Sequence, residues 1–168
     1  ISGAATVYYP STFYADLFNA AGKNTFPSYH TYKCVQDKIK QTALFELLGI
    51  PHPRTRVFYG KKQKATIGSH FQFPFVGKIP RGSAMGRGVF LILSEAELET
   101  YCGRTGVAYV QEYLPIDRDM RVVVIGKRIV HAYWRVAGQR DFRTNIAVGG
   151  TVCLDPIPDE ARELALRT

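Results

Sequence analysis

The sequence is short of cysteine, of acidic residues and of long apolar runs, and each shortage excludes something. Its three cysteines, Cys34, Cys102 and Cys153, are widely spaced and form no C-x-x-C pair, which argues against a structural zinc site and for a reducing, cytoplasmic setting. The four histidines, His30, His52, His70 and His131, show no metal-ligand spacing, and no Ser-His-Asp or Cys-His arrangement can be traced. The longest apolar runs, such as Val122-Val123-Val124-Ile125, fall far below the ~20 residues that span a bilayer, so no membrane partner is expected. Neither a basic leader nor a cleavage site follows Ile1, and the chain is expected to start inside a longer one.

What is present is globular and basic. Hydrophobic residues make up 46% of the 168 positions, which excludes a disordered chain. A chain of this length buries roughly 70% of its unfolded surface without needing a disulfide or a metal. Lys and Arg number 22 against 14 Asp and Glu, a net charge of +8. That excess admits a nucleic-acid-binding module as one reading. The basic residues are spread along the chain, however, and no aromatic pattern for base stacking accompanies them, so nucleic acid is not the expected partner.

Ala4 to Tyr9 reads as a strand, Ser11 to Ala21 as a helix with Ser11 as N-cap, and Thr25 to Tyr29 as extended. From Tyr32 a helical stripe of Val35, Ile39, Ala43 and Leu47 runs to Gly49. Thr55 to Tyr59 is a strand, Gly60 to Lys64 a basic turn, and Phe71 to Ile79 a strand leading into a glycine-rich stretch; Val89 to Leu93 resumes a strand. Ser94 and Glu97 form a capping box for a short helix. Val107 to Leu114, Asp119 to Ile125, Ile129 to Val136 and Phe142 to Val148 are strands, and Pro158 opens a final helix. The pattern predicts an α+β protein.

Three constellations could carry chemistry. Lys78 ends a strand and is followed by Gly82, Gly86 and Gly88, residues that let backbone N–H groups approach an anion; a plain hairpin is the alternative. Gln111-Glu112-Tyr113-Leu114 ends another strand, and Asp119 and Arg121 share one face of the next. A three-residue loop Gly126-Lys127-Arg128 would set Asp119 opposite Arg135, whereas a two-residue loop would turn Arg135 away. A solvated face with cross-strand ion pairs is the alternative here. Arg143 and Asn145, two apart, form the third candidate, a phosphate clamp or simply surface residues.

Taken in order, these segments resemble an ATP-grasp ligase of the RimK type. The motifs that carry the resemblance are Gln36-Asp37-Lys38 opening a helix, Lys78 with its glycine-rich loop, Gln111-Glu112-Tyr113, Asp119-Met120-Arg121 before Val124-Ile125-Gly126, and Arg143-Thr144-Asn145 before Gly149-Gly150. The resemblance implies an ATP-grasp fold of two α+β subdomains clasping ATP, occupying residues 31–168 and incomplete at its C-terminus, with residues 1–30 the end of a preceding small α/β domain. It implies an ATP-dependent carboxylate–amine ligase that works through an acyl phosphate, with ATP and Mg2+ or Mn2+ as cofactors; a nucleotide-binding fragment without catalysis is the alternative for the 168 residues themselves. Amino-acid and carboxylate substrates, among them a protein or peptide tail, and a homo-oligomeric state are expected.

By the same resemblance Lys38 and Lys78 reach the nucleotide phosphates, and Gly82, Gly86 and Gly88 belong to a flap over them. Glu112 and Tyr113 contact adenine, Asp119 and Asn145 bind nucleotide, and Arg121, Arg135 and Arg143 face phosphate or substrate. The family's metal ligands, an Asp and a later Glu-x-Asn, are expected beyond Thr168, since Asp155, Asp159, Glu160 and Glu163 are poor substitutes. Two smaller departures from the family pattern are Gly77, where an apolar residue is usual, and a short connection from Glu112 to Asp119.

Overall fold

The computed structural model describes residues 3–139 and 141–167. They divide into two compact units, the first Ile1–Pro51 with Pro80–Gly82, the second His52–Ile79 with Ser83–Thr168.

In the first unit β1 (Thr6–Tyr8) and β2 (Asn24–Phe26) pair in parallel across the intervening helix α1 (Thr12–Ala20). The Ser11 hydroxyl accepts from the Tyr14 amide at the head of α1. Two helices follow, α2 (Tyr29–Val35) and α3 (Lys38–Leu48), where the apolar spacing predicts one continuous run. Asp37 makes the break. Its carboxylate accepts from the Ile39 and Lys40 amides at 3.0 and 3.3 Å and from Arg81 Nε at 2.8 Å, so it caps α3 instead of continuing α2. The expected stripe is not the buried one either. Val35 and Leu47 are 67% and 82% exposed, while Asp37 and Thr42 are buried.

The second unit is built on a four-stranded antiparallel sheet in the order β3-β6-β4-β5, from β3 (Thr55–Tyr59), β4 (Phe75–Lys78), β5 (Val89–Ile92) and β6 (Val107–Glu112). The expected basic turn after β3 is a short helix, α4 (Gly60–Lys64), followed by α5 (Ile67–His70). The strand expected from Phe71 begins only at Phe75; Pro74, just before it, has no N–H to give a ladder. Ile67 from α5, and Leu98 and Tyr101 from α6 (Glu95–Arg104), pack with Phe58, Phe71, Phe75, Ile92, Ala108 and Val110 into one core.

A three-stranded antiparallel sheet completes the unit: β7 (Arg118–Ile125), β8 (Arg128–Val136) and β9 (Thr151–Cys153), with α7 (Asp159–Arg167) against β7 and β8. The β7–β8 turn has two residues, since Ile125 pairs with Arg128, yet Asp119 still pairs with Arg135. The register shifts where Val124 faces Ile129 but Val123 faces His131. Val130 is the extra residue of a β-bulge, and it does in the strand what a third loop residue would do in the turn.

The strand expected over Phe142–Val148 is absent. Residues 142–145 are irregular and Ile146–Val148 form a single 3-10 turn. Their hydrogen bonds are local: Asp141 Oδ1 accepts from the Arg143 amide at 2.9 Å, and the Gly150 amide donates to Asn145 O at 3.1 Å. Gly150 lies so tightly under Thr144 O that a Cβ there would overlap it.

Candidate active site

The end of β4, the end of β6 and the 142–145 loop meet around a cavity of about 220 Å³ in the second unit. Val76 and Val89, with Leu114 and Ile116 after β6, give it apolar walls; Lys78, Glu112, Arg143 and Asn145 give it polar ones. A lysine and an arginine in the lining of an apolar-walled slot suit a ligand with a flat apolar part and an anionic part.

Lys78 is placed by its strand. Tyr101, 1% exposed, sends its hydroxyl from α6 to the Lys78 and Tyr109 carbonyls at 2.8 and 3.0 Å and accepts from the Tyr109 amide at 2.9 Å. Burial holds this phenol well above its ordinary range. The ring explains the residue before Lys78: a Cβ on Gly77 would stand 2.9 Å from it, so the apolar side chain usual there has no room. The Lys78 ammonium donates to Gln111 Oε1. Glu112 Oε1 accepts from the Arg54 amide at 2.6 Å, and the Tyr113 ring meets Phe142 edge-on at 6.2 Å.

Arg143 is held from two sides. Asp141 takes Nε and Nη2, and Nη1 donates to Gly86 O at 2.9 Å. The hydrogen bond to Arg143 keeps Asp141 below the ordinary carboxylate range, against the opposing effect of burial. Gly86 also lies against Asn145, whose Oδ1 would be 3.0 Å from a Cβ on the glycine, and the glycine's φ of +79° disfavours any other residue. A Cβ on Gly88 would overlap the Ser83 hydroxyl.

Not every expected site residue reaches the cavity. Asp119 and Arg135 stand behind it: Arg135 donates through Nε and Nη2 to Asp119 at 2.8 and 2.6 Å, and the Thr144 hydroxyl donates to Asp119 at 2.8 Å. Arg121, two residues along the same strand, is exposed and does not line the cavity. Lys38 and Gly82 belong to the first unit. There, burial lowers the Lys38 ammonium below its ordinary value, partly offset by Asp37. Among the described residues no group of three His, Cys, Asp or Glu side chains gathers to hold a metal ion, and no helix is long and apolar enough to cross a membrane. Sequence reasoning missed Asp141 and Phe142 as site residues, and it named Gln111 and Thr144 within motifs without giving either a role. An acid two residues before a candidate arginine was the one signal for Asp141.

The RimK-like ATP-grasp domain matches residues 35–168. The chain belongs to this family. Its relatives include the ribosomal protein bS6–L-glutamate ligase of Escherichia fergusonii, 30% identical over 139 residues that cover 79% of this chain and 46% of that protein. The glutamate–LysW ligase of Sulfolobus acidocaldarius is 29% identical, covering 95% of this chain and 59% of that protein. The chain thus spans about half the length of these RimK-like relatives. A RimK-domain ATP-grasp protein from Sphaerobacter thermophilus superposes with a TM-score of 0.75 at 19% identity, over 99% of this chain and 64% of that one. Carboxyaminoimidazole ribonucleotide synthase from Aspergillus clavatus, solved with ATP, gives 0.68 at 17% identity, over 98% and 46%. The fold is the ATP-grasp fold.

Proposed function

We propose that the protein is an ATP-dependent carboxylate–amine ligase. A carboxylate oxygen attacks the γ-phosphorus of ATP and ADP leaves; an amine then attacks the acyl carbon and inorganic phosphate leaves. The observation that carries this reading is the convergence of Lys78 and Arg143 on one apolar-walled cavity in a chain of the RimK-like family. Lys78 and Arg143 act on the phosphates, where fixed cations stabilise the charge of the transferring group. Glu112 and Tyr113 border the adenine, and the Gly86–Gly88 segment, tied to Arg143 and Asn145, covers the phosphates. Asp119 and Arg135 serve through Thr144, which they anchor, and Lys38, Gly82 and Arg121 are assigned to phosphate or substrate by the family pattern alone.

Glutamate as the amine and a protein tail as the acceptor follow the names of the relatives; a homo-oligomeric, cytoplasmic enzyme is carried over from the sequence reading alone. The magnesium or manganese ion that accompanies the nucleotide in this reading finds no carboxylate cluster among the described residues.

The test is ATP affinity of the full-length protein. A charge-assisted contact in a partly desolvated cleft is worth about 1.5 to 3 kcal/mol, so Lys78→Ala should weaken ATP roughly 10- to 150-fold by calorimetry. Unchanged affinity would overturn the nucleotide assignment.

A further inference from the structure

We infer that Gln111 is a positioning residue that aims the Lys78 ammonium at the ligand without neutralising it. The inference rests on the ligase reading of the cavity. Lys78 Nζ donates to Gln111 Oε1 at 2.5 Å, Gln111 Nε2 donates to Thr55 Oγ1 at 2.8 Å, and Thr55 Oγ1 donates to Pro53 O at 2.7 Å. Only one direction of donation satisfies this chain. An ammonium has donors and no acceptor, and a proline carbonyl has an acceptor and no donor. With both ends fixed, the Gln111 oxygen must face Lys78, and its NH2 must face Thr55.

The sheet makes the relay possible. Strand β6 lies between β3 and β4, so Gln111 faces Thr55 on one side and Val76, two residues before Lys78, on the other. The relay therefore crosses three adjacent strands on one face. Pro53, Lys78 and Gln111 line the cavity, but Thr55 does not, so the hydroxyl that fixes the Gln111 amide lies outside the lining.

Neutrality at position 111 is the second half of the inference. Glutamate would accept the same bond from Lys78, but it would pair the ammonium with a carboxylate and place negative charge where a polyphosphate must enter. Glutamine gives the orientation and adds no negative charge beside the ammonium. Gln111 differs in this from the residue that holds Arg143, the carboxylate of Asp141.

The experiment is a double-mutant cycle on the full-length protein, with ATP affinity read by calorimetry and turnover kinetics by ADP release. Gln111→Met keeps the side-chain length and should weaken ATP about tenfold, expressed in KM more than in kcat, with the melting transition retained. Thr55→Val, which touches no ligand, should weaken ATP by about threefold. In the Lys78→Ala background Gln111→Met should have no further effect, since a residue that acts through Lys78 has nothing left to position. Gln111→Glu should bind ATP more weakly than Gln111→Met. If Gln111→Met weakens ATP equally with and without Lys78, Gln111 is only structural and the inference fails. If Lys78→Ala weakens ATP while Gln111→Met leaves it unchanged, the inference fails and the ligase reading stands. If Lys78→Ala itself has no effect, both fall.

Discussion

Asp119 and Arg135 face each other across the β7–β8 hairpin because Val130 is carried as an extra residue in β8. The two-residue turn would otherwise set Arg135 on the opposite face. With the bulge in place, both oxygens of Asp119 are taken by Arg135, and one of them also receives the Thr144 hydroxyl. Strand register thereby reaches the loop that bears Arg143.

Val130 itself is 55% exposed, and deleting it closes the hairpin into an unbroken ladder with the same partners. The deletion should therefore leave the Asp119–Arg135 pair intact and shift stability by less than about 1 kcal/mol. Urea unfolding of the deletion protein, with and without Asp119→Asn and Arg135→Met, would show the coupling between the two side chains preserved at about 0.5 kcal/mol or more. Loss of that coupling would mean the bulge has a further role.

Two glycines should respond in opposite ways to alanine. At Gly77 the new methyl meets the Tyr101 ring, and overpacking of this kind costs about 1–3 kcal/mol. At Gly103, near the end of α6, nothing lies within 4 Å of the added Cβ, and alanine should stabilise by up to about 1 kcal/mol through helix propensity. Denaturation midpoints that moved in the same direction would refute the assignment.

Tyr101→Phe removes only a hydroxyl, but that hydroxyl serves a buried amide and two carbonyls. Leaving such groups without a partner costs about 1–3 kcal/mol. The amide of Tyr109 should exchange faster with deuterium in the variant, and a protection factor equal to wild type would contradict the geometry.

Acid sensitivity should trace in part to Asp141. Arg143 holds its carboxyl below the ordinary value of 3.8, so the pair's contribution is fully present above that value and is lost as pH falls through the lowered one. Asp141→Asn should therefore be less stable than wild type by a constant amount between about pH 5 and 7, with the gap shrinking below about pH 4. A gap that widened on acidification would reverse the sign and exclude Arg143 as the cause.

What could be read in the sequence was local. The Ser94 cap of α6 requires only neighbours three residues apart, and Lys78 at a strand end, the glycine-rich loop and the Glu112-Tyr113 pair were all visible as short patterns. The α2–α3 break was legible only in part: the apolar spacing runs through it, while Gln36-Asp37-Lys38 reads as a helix opening, and Asp37 does cap α3 at the Ile39 and Lys40 amides. The 142–145 loop was misread as a strand for a related reason. Its composition alternates like one, but its partners are Asp141, Gly86 and Gly150, and no period of 2 records them. The relay behind Lys78 needed the strand order β3-β6-β4, which no single segment encodes.

The cavity is closed by pairs far apart along the chain: Lys78 meets Gln111 over 33 positions, Thr144 meets Asp119 over 25, and Arg143 meets Gly86 over 57. Each doubling of such a loop adds only about 0.6 kcal/mol of closure entropy, but the Arg143 contact needs both sheets of the second unit in place before it can form. Site assembly is thus expected to be a late event in folding. In a pulsed hydrogen-exchange experiment the amide of Tyr109 should become protected before that of Arg143, so that a refolding chain passes through a stage in which its core has set and its cation pair has not yet come together.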